Sequence, residues 1–166
     1  MKYKLTDETK LVNGKTLHRI VCVTSFASVS AGEIGGWVES ENNLSQLGDA
    51  WVYCNAKVCG NALVCDDANV YGDALVYGNA EVYGDALVCG NDDYIVMKNN
   101  WSSGRYFTYT MSNDKWKVGC FYGSGEELIA KAYKDSELSG DCYKAAVEFV
   151  EKIKAAKKKA ATEKEK

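Results

Sequence analysis

One histidine, His18, no proline and no CxxC pair are what this chain of 166 residues offers where catalytic and metal motifs are usually sought. With a single imidazole there is no Ser/His/Asp set to argue, no HExxH and no Cys/His metal spacing, and no GxxxxGK[ST] phosphate loop occurs either. The seven cysteines are odd in number and unpaired by spacing, which argues against a disulfide framework and a zinc knuckle. Free thiols in a reducing compartment follow. No apolar run approaches a membrane span, and the opening MKYKLTDETK lacks the apolar core of a secretory signal. The expected location is therefore the cytoplasm, and no cofactor or metal is expected.

Charge of one sign is also scarce in places. The net charge is −3, yet residues 151–166 hold seven Lys against three Glu, so the remainder carries −7 by subtraction. A body this acidic repels duplex nucleic acid rather than tracking it.

What is abundant is a six-residue phrase. From Gly48 to Cys89 the chain reads GDAWVY, CNAKVC, GNALVC, DDANVY, GDALVY, GNAEVY, GDALVC. The period, with an aliphatic residue in one slot and a small one in another, predicts a mainly β protein built on a short left-handed parallel β-helix of about three turns, eighteen residues to the turn. Val52, Val58, Val64, Val70, Val76, Val82 and Val88 and the alanines two residues before each are expected to point inward. Gly with Asn or Asp turns the corners, because these residues tolerate left-handed backbone. Stepping back in the same frame from Val52 and Ala50 places Ile34, Val38 and Leu44 in a weaker first turn.

Eighteen-residue stacking sets Cys54 on Gly72, Cys59 on Tyr77, Cys65 on Tyr83 and Cys89 on Tyr71, so the cysteines form no ladder. Tyr53, Tyr71, Tyr77 and Tyr83 follow the inward valines and point out, an aromatic stripe suited to self-association.

The flanks carry other periods. Asn13-Gly14 between strand-like runs is a type I′ hairpin signal, so residues 1–33 read as an N-terminal hairpin cap on a coil spanning 34–91. Residues 92–155 read as an α+β module: strands in DYIVMK, RYFTYTM and KWKVGCFY, then two helices. Ser124-Gly125-Glu126-Glu127 has capping-box spacing, and Ser139-Gly140-Asp141 is the expected start of a second helix with Tyr143, Ala146, Val147, Val150 and Ile153 on its apolar side. The Lys-rich residues 156–166 read as a disordered tail.

One polar constellation stands out, Trp101-Ser102-Ser103-Gly104-Arg105-Tyr106, with Thr108 and Thr110 on the strand face of Tyr106. A guanidinium pairs phosphate oxygens two at a time, so Arg105 with Ser102, Ser103, Thr108 and Thr110, and Trp101 or Tyr106 to stack a base, are the candidate ligand residues.

GEIGGWVESENNLSQLGDAWVY, the GDA/GNA hexads and DYIV…SSGRYFTYT…WKVGCFYGSGEEL together resemble hexapeptide-repeat proteins common in bacteriophages and prophages, often labelled polymer-forming cytoskeletal or acyltransferase-like. The resemblance implies a cytoplasmic protein of an infected bacterial cell that counteracts host defence, by sequestering a nucleotide signal or inhibiting a host protein. The coil also resembles that of acyltransferases, which place a histidine as general base for an acceptor hydroxyl or amine. Because His18 lies outside the coil, the expectation is a non-enzymatic, homo-oligomeric binding protein, trimer or dimer. An acyltransferase-like enzyme and a self-assembling structural coil are the alternatives.

Overall fold

The computed structural model describes residues 1–164. The chain runs β1 (Tyr3–Val12), β2 (Lys15–Cys22), β3 (Ile34–Val38), then seven two-residue strands: β4 (Trp51–Val52), β5 (Lys57–Val58), β6 (Leu63–Val64), β7 (Asn69–Val70), β8 (Leu75–Val76), β9 (Glu81–Val82) and β10 (Leu87–Val88). A second module follows: β11 (Tyr94–Lys98), β12 (Tyr106–Thr110), β13 (Lys115–Val118), β14 (Phe121–Gly123), α1 (Gly125–Asp135) and α2 (Glu137–Lys164). The protein is mainly β, with several parallel sheets and a C-terminal pair of helices.

The hexads build a parallel coil with three sides. Trp51 pairs with Asn69 and Asn69 with Leu87, Lys57 pairs with Leu75, and Leu63 with Glu81, always eighteen residues on. Every valine of the repeat and every alanine two residues before it is buried, in one continuous core. A core this narrow takes only a branched aliphatic and a methyl on each side, which is why the two slots never vary.

The first turn departs from the expected frame. Trp37 pairs with Lys57 and Leu44 bridges to Val64, in both cases twenty residues on. Val38 and Leu44 therefore lie over Val58 and Val64, in the valine slot rather than the alanine slot. The two extra residues fall between Leu44 and Val52. Ile34, expected inward, is 51% exposed and pairs with Val21 instead.

The corners use left-handed backbone at the first position of the hexad. Gly48, Gly60, Gly72, Gly78 and Gly84 all have positive φ, and Cys54 (φ 50°) and Asp66 (φ 57°) are forced into the same conformation where glycine is missing.

Both ends of the coil are closed by the chain itself. The Asn13-Gly14 turn forms as expected, with φ of 51° and 78°. The hairpin does more than cap an end, however: β2 pairs antiparallel with β3, extending one side of the coil. The plug is Lys2 and Tyr3. The Lys2 ammonium donates to Ala50 O at 2.8 Å and Gly48 O at 3.2 Å, and the Tyr3 hydroxyl donates to Leu44 O at 2.7 Å. At the other end the last strand of each side finds a side-chain oxygen. Leu75 N–H donates to Asn91 Oδ1 (2.7 Å), Glu81 N–H to Thr108 Oγ1 (2.9 Å) and Leu87 N–H to Ser112 Oγ (2.8 Å). The first amide of each side's last strand is thus satisfied within the chain, which blunts the edge that another chain would pair with.

The second module is an antiparallel sheet in the order β11-β12-β13-β14, with α1 and α2 over its far face. Phe107, Tyr109 and Trp116 form its aromatic core with Leu128, Tyr143 and Val150 of the helices. The capping box at α1 is present: Glu127 N–H donates to Ser124 Oγ, and Ser124 N–H donates to Glu127 Oε2 at 2.7 Å. The second helix begins at Glu137, ahead of the expected Ser139 start, and residues 156–164 continue it rather than forming a tail. Lys157 explains part of that order, since its ammonium reaches the Asp92 carboxylate at 2.9 Å. Residues 165 and 166 of the expected tail lie outside the described residues.

Candidate functional site

The loop between β11 and β12 is organised by Asn99. Its buried side-chain amide accepts the Ser102 N–H at 2.9 Å and donates to the Tyr143 hydroxyl at 3.0 Å, and its backbone N–H donates to Arg105 O at 2.8 Å. Trp101 anchors the loop from beneath, edge-on to Tyr143 at 5.0 Å and to Phe107 at 6.0 Å. The loop's polar tip, Ser102, Ser103 and Arg105, is thereby held over the helices.

Beneath it lies a cleft of about 280 Å³. Ser102, Ser103 and Arg105 form one wall, Cys120 and Phe121 the rim, and Lys131, Asp135, Ser139 and Tyr143 of the two helices the floor. Among the described residues neither Arg105 nor Lys131 has a carboxylate within ion-pair distance, but the Asp135 carboxylate shares their lining, so the cleft holds two cations and one acid. Burial pushes the Tyr143 hydroxyl above the ordinary phenol range, which keeps it protonated as a donor. Hydroxyls beside a lining with one more cation than acid suit an anionic ligand such as a phosphate.

The expected ligand set is therefore split. Ser102, Ser103 and Arg105 come together, while Trp101 serves as the packing beneath them. Tyr106 turns away and, with Tyr77 and Asn13, lines a separate groove of about 560 Å³. Thr108 and Thr110 are buried and face the coil; Thr108 closes the last turn and Thr110 bonds Asn113. Lys131, Asp135 and Tyr143 went unrecognised in the sequence because they enter the cleft from helices whose spacing reports only the apolar face. The box at Ser124 was the nearest signal, since it fixes where α1 begins and so which way Lys131 points.

Nor do the four tyrosines make one stripe. Six-residue steps move to successive sides of the coil, so only Tyr53 and Tyr71 share a side, stacked at 4.4 Å with rings 7° apart. Tyr83 is covered by Tyr122 and by the Lys117 ammonium at 4.3 Å, and Tyr77 alone is largely exposed.

His18 sits in β2 opposite Val38, within the same sheet as the first side of the coil. Its Nδ1 lies 3.2 Å from Thr6 O. A carbonyl only accepts, so Nδ1 is the donor in this contact and Nε2 is the ring nitrogen that the contact leaves free.

No family model matches the chain. It is 32% identical over 60 residues to the uncharacterized acetyltransferase YdcK of Escherichia coli (strain K12). That alignment covers 31% of this chain and 18% of the other protein. The similarity points to an enzyme and overturns the expectation of a non-enzymatic protein. That expectation rested on His18 lying outside the coil, yet the strand that carries it is bonded directly to the coil's first side. Among the described residues no helix is long and apolar enough to cross a membrane.

Proposed function

We propose that the chain is an acyltransferase-like hexapeptide-repeat enzyme on a left-handed parallel β-helix, moving an acyl group from a thioester to an acceptor hydroxyl or amine. The observation that carries the reading is the similarity to an acetyltransferase in a chain whose coil repeats every eighteen residues. In such a step the acceptor oxygen or nitrogen attacks the thioester carbonyl, its proton passes to a base, and the carbon–sulfur bond breaks to release the thiol. His18, with Nε2 free to accept, is the residue we assign as that base. The carrier's phosphates are assigned to the cleft under Arg105 and Lys131, which lies in the C-terminal module and not in the hairpin that carries His18.

Acetyl-CoA incubated with the protein and a panel of amino- and hydroxyl-bearing acceptors tests this, read as free CoA and acetylated product by mass spectrometry. Turnover supports the enzyme. Absence of both product and CoA release across the panel sinks it, and a nucleotide bound and recovered unchanged would return the cleft to the sequestration reading.

A further inference from the structure

Helix α2 has two apolar faces and the protomer uses one. Tyr143, Ala146 and Val150 are buried against the sheet and α1. Leu138, Cys142, Ala145 and Phe149 recur at steps of four, three and four, which is the spacing of a helix–helix seam. None of these four belongs to the packed core. Leu138 is 59% exposed and Phe149 52%, Ala145 is exposed and Cys142 half-exposed. Large apolar side chains in register on an open helix face mark an association surface rather than scattered surface residues.

The charges along the helix say what covers it. From Glu137 to Glu151 there are four acids, Glu137, Asp141, Glu148 and Glu151, against Lys144. From Lys152 to Glu163 the balance reverses: Lys154 and Lys157 are held by Asp114, Glu151 and Asp92 of their own chain, which leaves Lys152, Lys158 and Lys159 against Glu163. A second copy laid parallel sets acid on acid and base on base. Laid antiparallel, it sets the acidic start of each helix, Glu137 and Asp141, against the segment of the other that begins at Lys152, and that pairing is repeated by the twofold.

We infer that two copies of this chain associate through an antiparallel pair of α2 helices, with Phe149 of each seated on Ala145 of the other. That register places Leu138 opposite Ala156 and Cys142 opposite Lys152, and it brings Asp141 of one copy beside Lys152 of the other. The bulky ring against the methyl is the close-packing match at the centre, and the Asp141–Lys152 pairs sit at the rim, where they set orientation more than affinity. End-to-end stacking of the coils takes no part, since Lys2 occupies one end and side-chain oxygens meet the first amide of each last strand at the other.

Light scattering on the eluted full-length protein should give twice the chain mass. Phe149→Glu should give a monomer with unchanged circular dichroism and melting temperature, its association weakened at least about thirtyfold, as removal of a central anchor requires. Lys152→Glu should weaken the dimer and Asp141→Lys in the same chain restore it. Under mild oxidation Lys152→Cys should cross-link position 142 of one copy to position 152 of the other, identified by peptide mass. A native monomer, a trimer, a dimer indifferent to Phe149→Glu, or a 142–142 cross-link in the native chain would each overturn the arrangement.

Discussion

The Thr108 hydroxyl accepts the backbone N–H of Glu81 at 2.9 Å and so ends the ladder of one side of the coil. Where another turn of strand would continue the ladder, a side chain from the next module supplies the oxygen. Asn91 and Ser112 do the same for the other two sides, so the first amide of each side's last strand meets a side-chain oxygen.

Thr108→Val keeps the shape of a buried side chain and removes that acceptor. Leaving an amide desolvated without a partner costs about 1–3 kcal/mol. Urea denaturation should show a loss in that range, with Thr108→Ser recovering most of it.

Cys54 holds a glycine's place. Its φ of 50° matches that of Gly72, which turns the same corner one turn later at 62°. Left-handed backbone costs a side-chain-bearing residue about 1–2 kcal/mol, and glycine gives back part of this through the freedom of its unfolded chain. Cys54→Gly is therefore expected to raise stability by about 0.5–1 kcal/mol, seen as a higher urea midpoint at unchanged slope.

Six of the seven thiols should react in two groups, with half-exposed Cys142 between them. Burial, followed by the charges of Asp66 and Glu81, pushes the Cys65 thiol up to about 12, and burial also raises Cys59 and Cys22. The thiolate is the reactive form, so these three are both covered and unreactive. Native iodoacetamide labelling followed by peptide mass spectrometry should modify exposed Cys54, Cys89 and Cys120 first, and the buried set only on unfolding.

Asp114 ties the second module to α2. The Tyr109 hydroxyl and the Lys154 ammonium at 3.0 Å hold its carboxyl below the ordinary 3.8. Lys154 is raised further than this pair alone explains, because Glu151 at 2.9 Å contributes first. A depressed carboxylate gives stability that is present above its unfolded pKa and disappears as pH falls through the folded one. The melting-temperature gap between wild type and Asp114→Asn should thus be steady above about pH 5 and close progressively below 3.8.

If acyl transfer is found, His18 and Arg105 should separate kinetically. Loss of a general base costs about 10²–10⁴ in rate. His18→Gln should lower kcat to that degree with little change in KM for the thioester. Arg105→Ala should raise that KM by about tenfold or more, the share of one charge-assisted bond, with a smaller effect on kcat. The reverse pattern would take the base assignment away from His18.

The hexads were legible because each encodes its own strand and corner: a valine and an alanine for the inside, a glycine for the turn. The same locality made the Asn13-Gly14 hairpin and the Ser124 capping box readable. Legibility stopped where the repeat did. The two residues added between Leu44 and Val52 carry no mark of their own, so counting backward in sixes put Ile34 inside and shifted Val38 and Leu44 to the wrong slot. The tyrosines misled for a related reason, since neighbours in a list of hexads are neighbours in space only every third time.

Local periodicity, then, was sufficient for a narrow core of valine and alanine turned by glycine, because a side chain's inward or outward direction there follows from its place in six residues. Which loop meets which helix was a tertiary decision. Arg105, Lys131, Asp135 and Tyr143 come from three elements separated by up to 38 positions, and no sequence spacing records their convergence. Thr108 and Thr110 show the converse: a strand face fixes that two hydroxyls point the same way, but only docking on the coil decides whether they meet a ligand or the last amide of a strand.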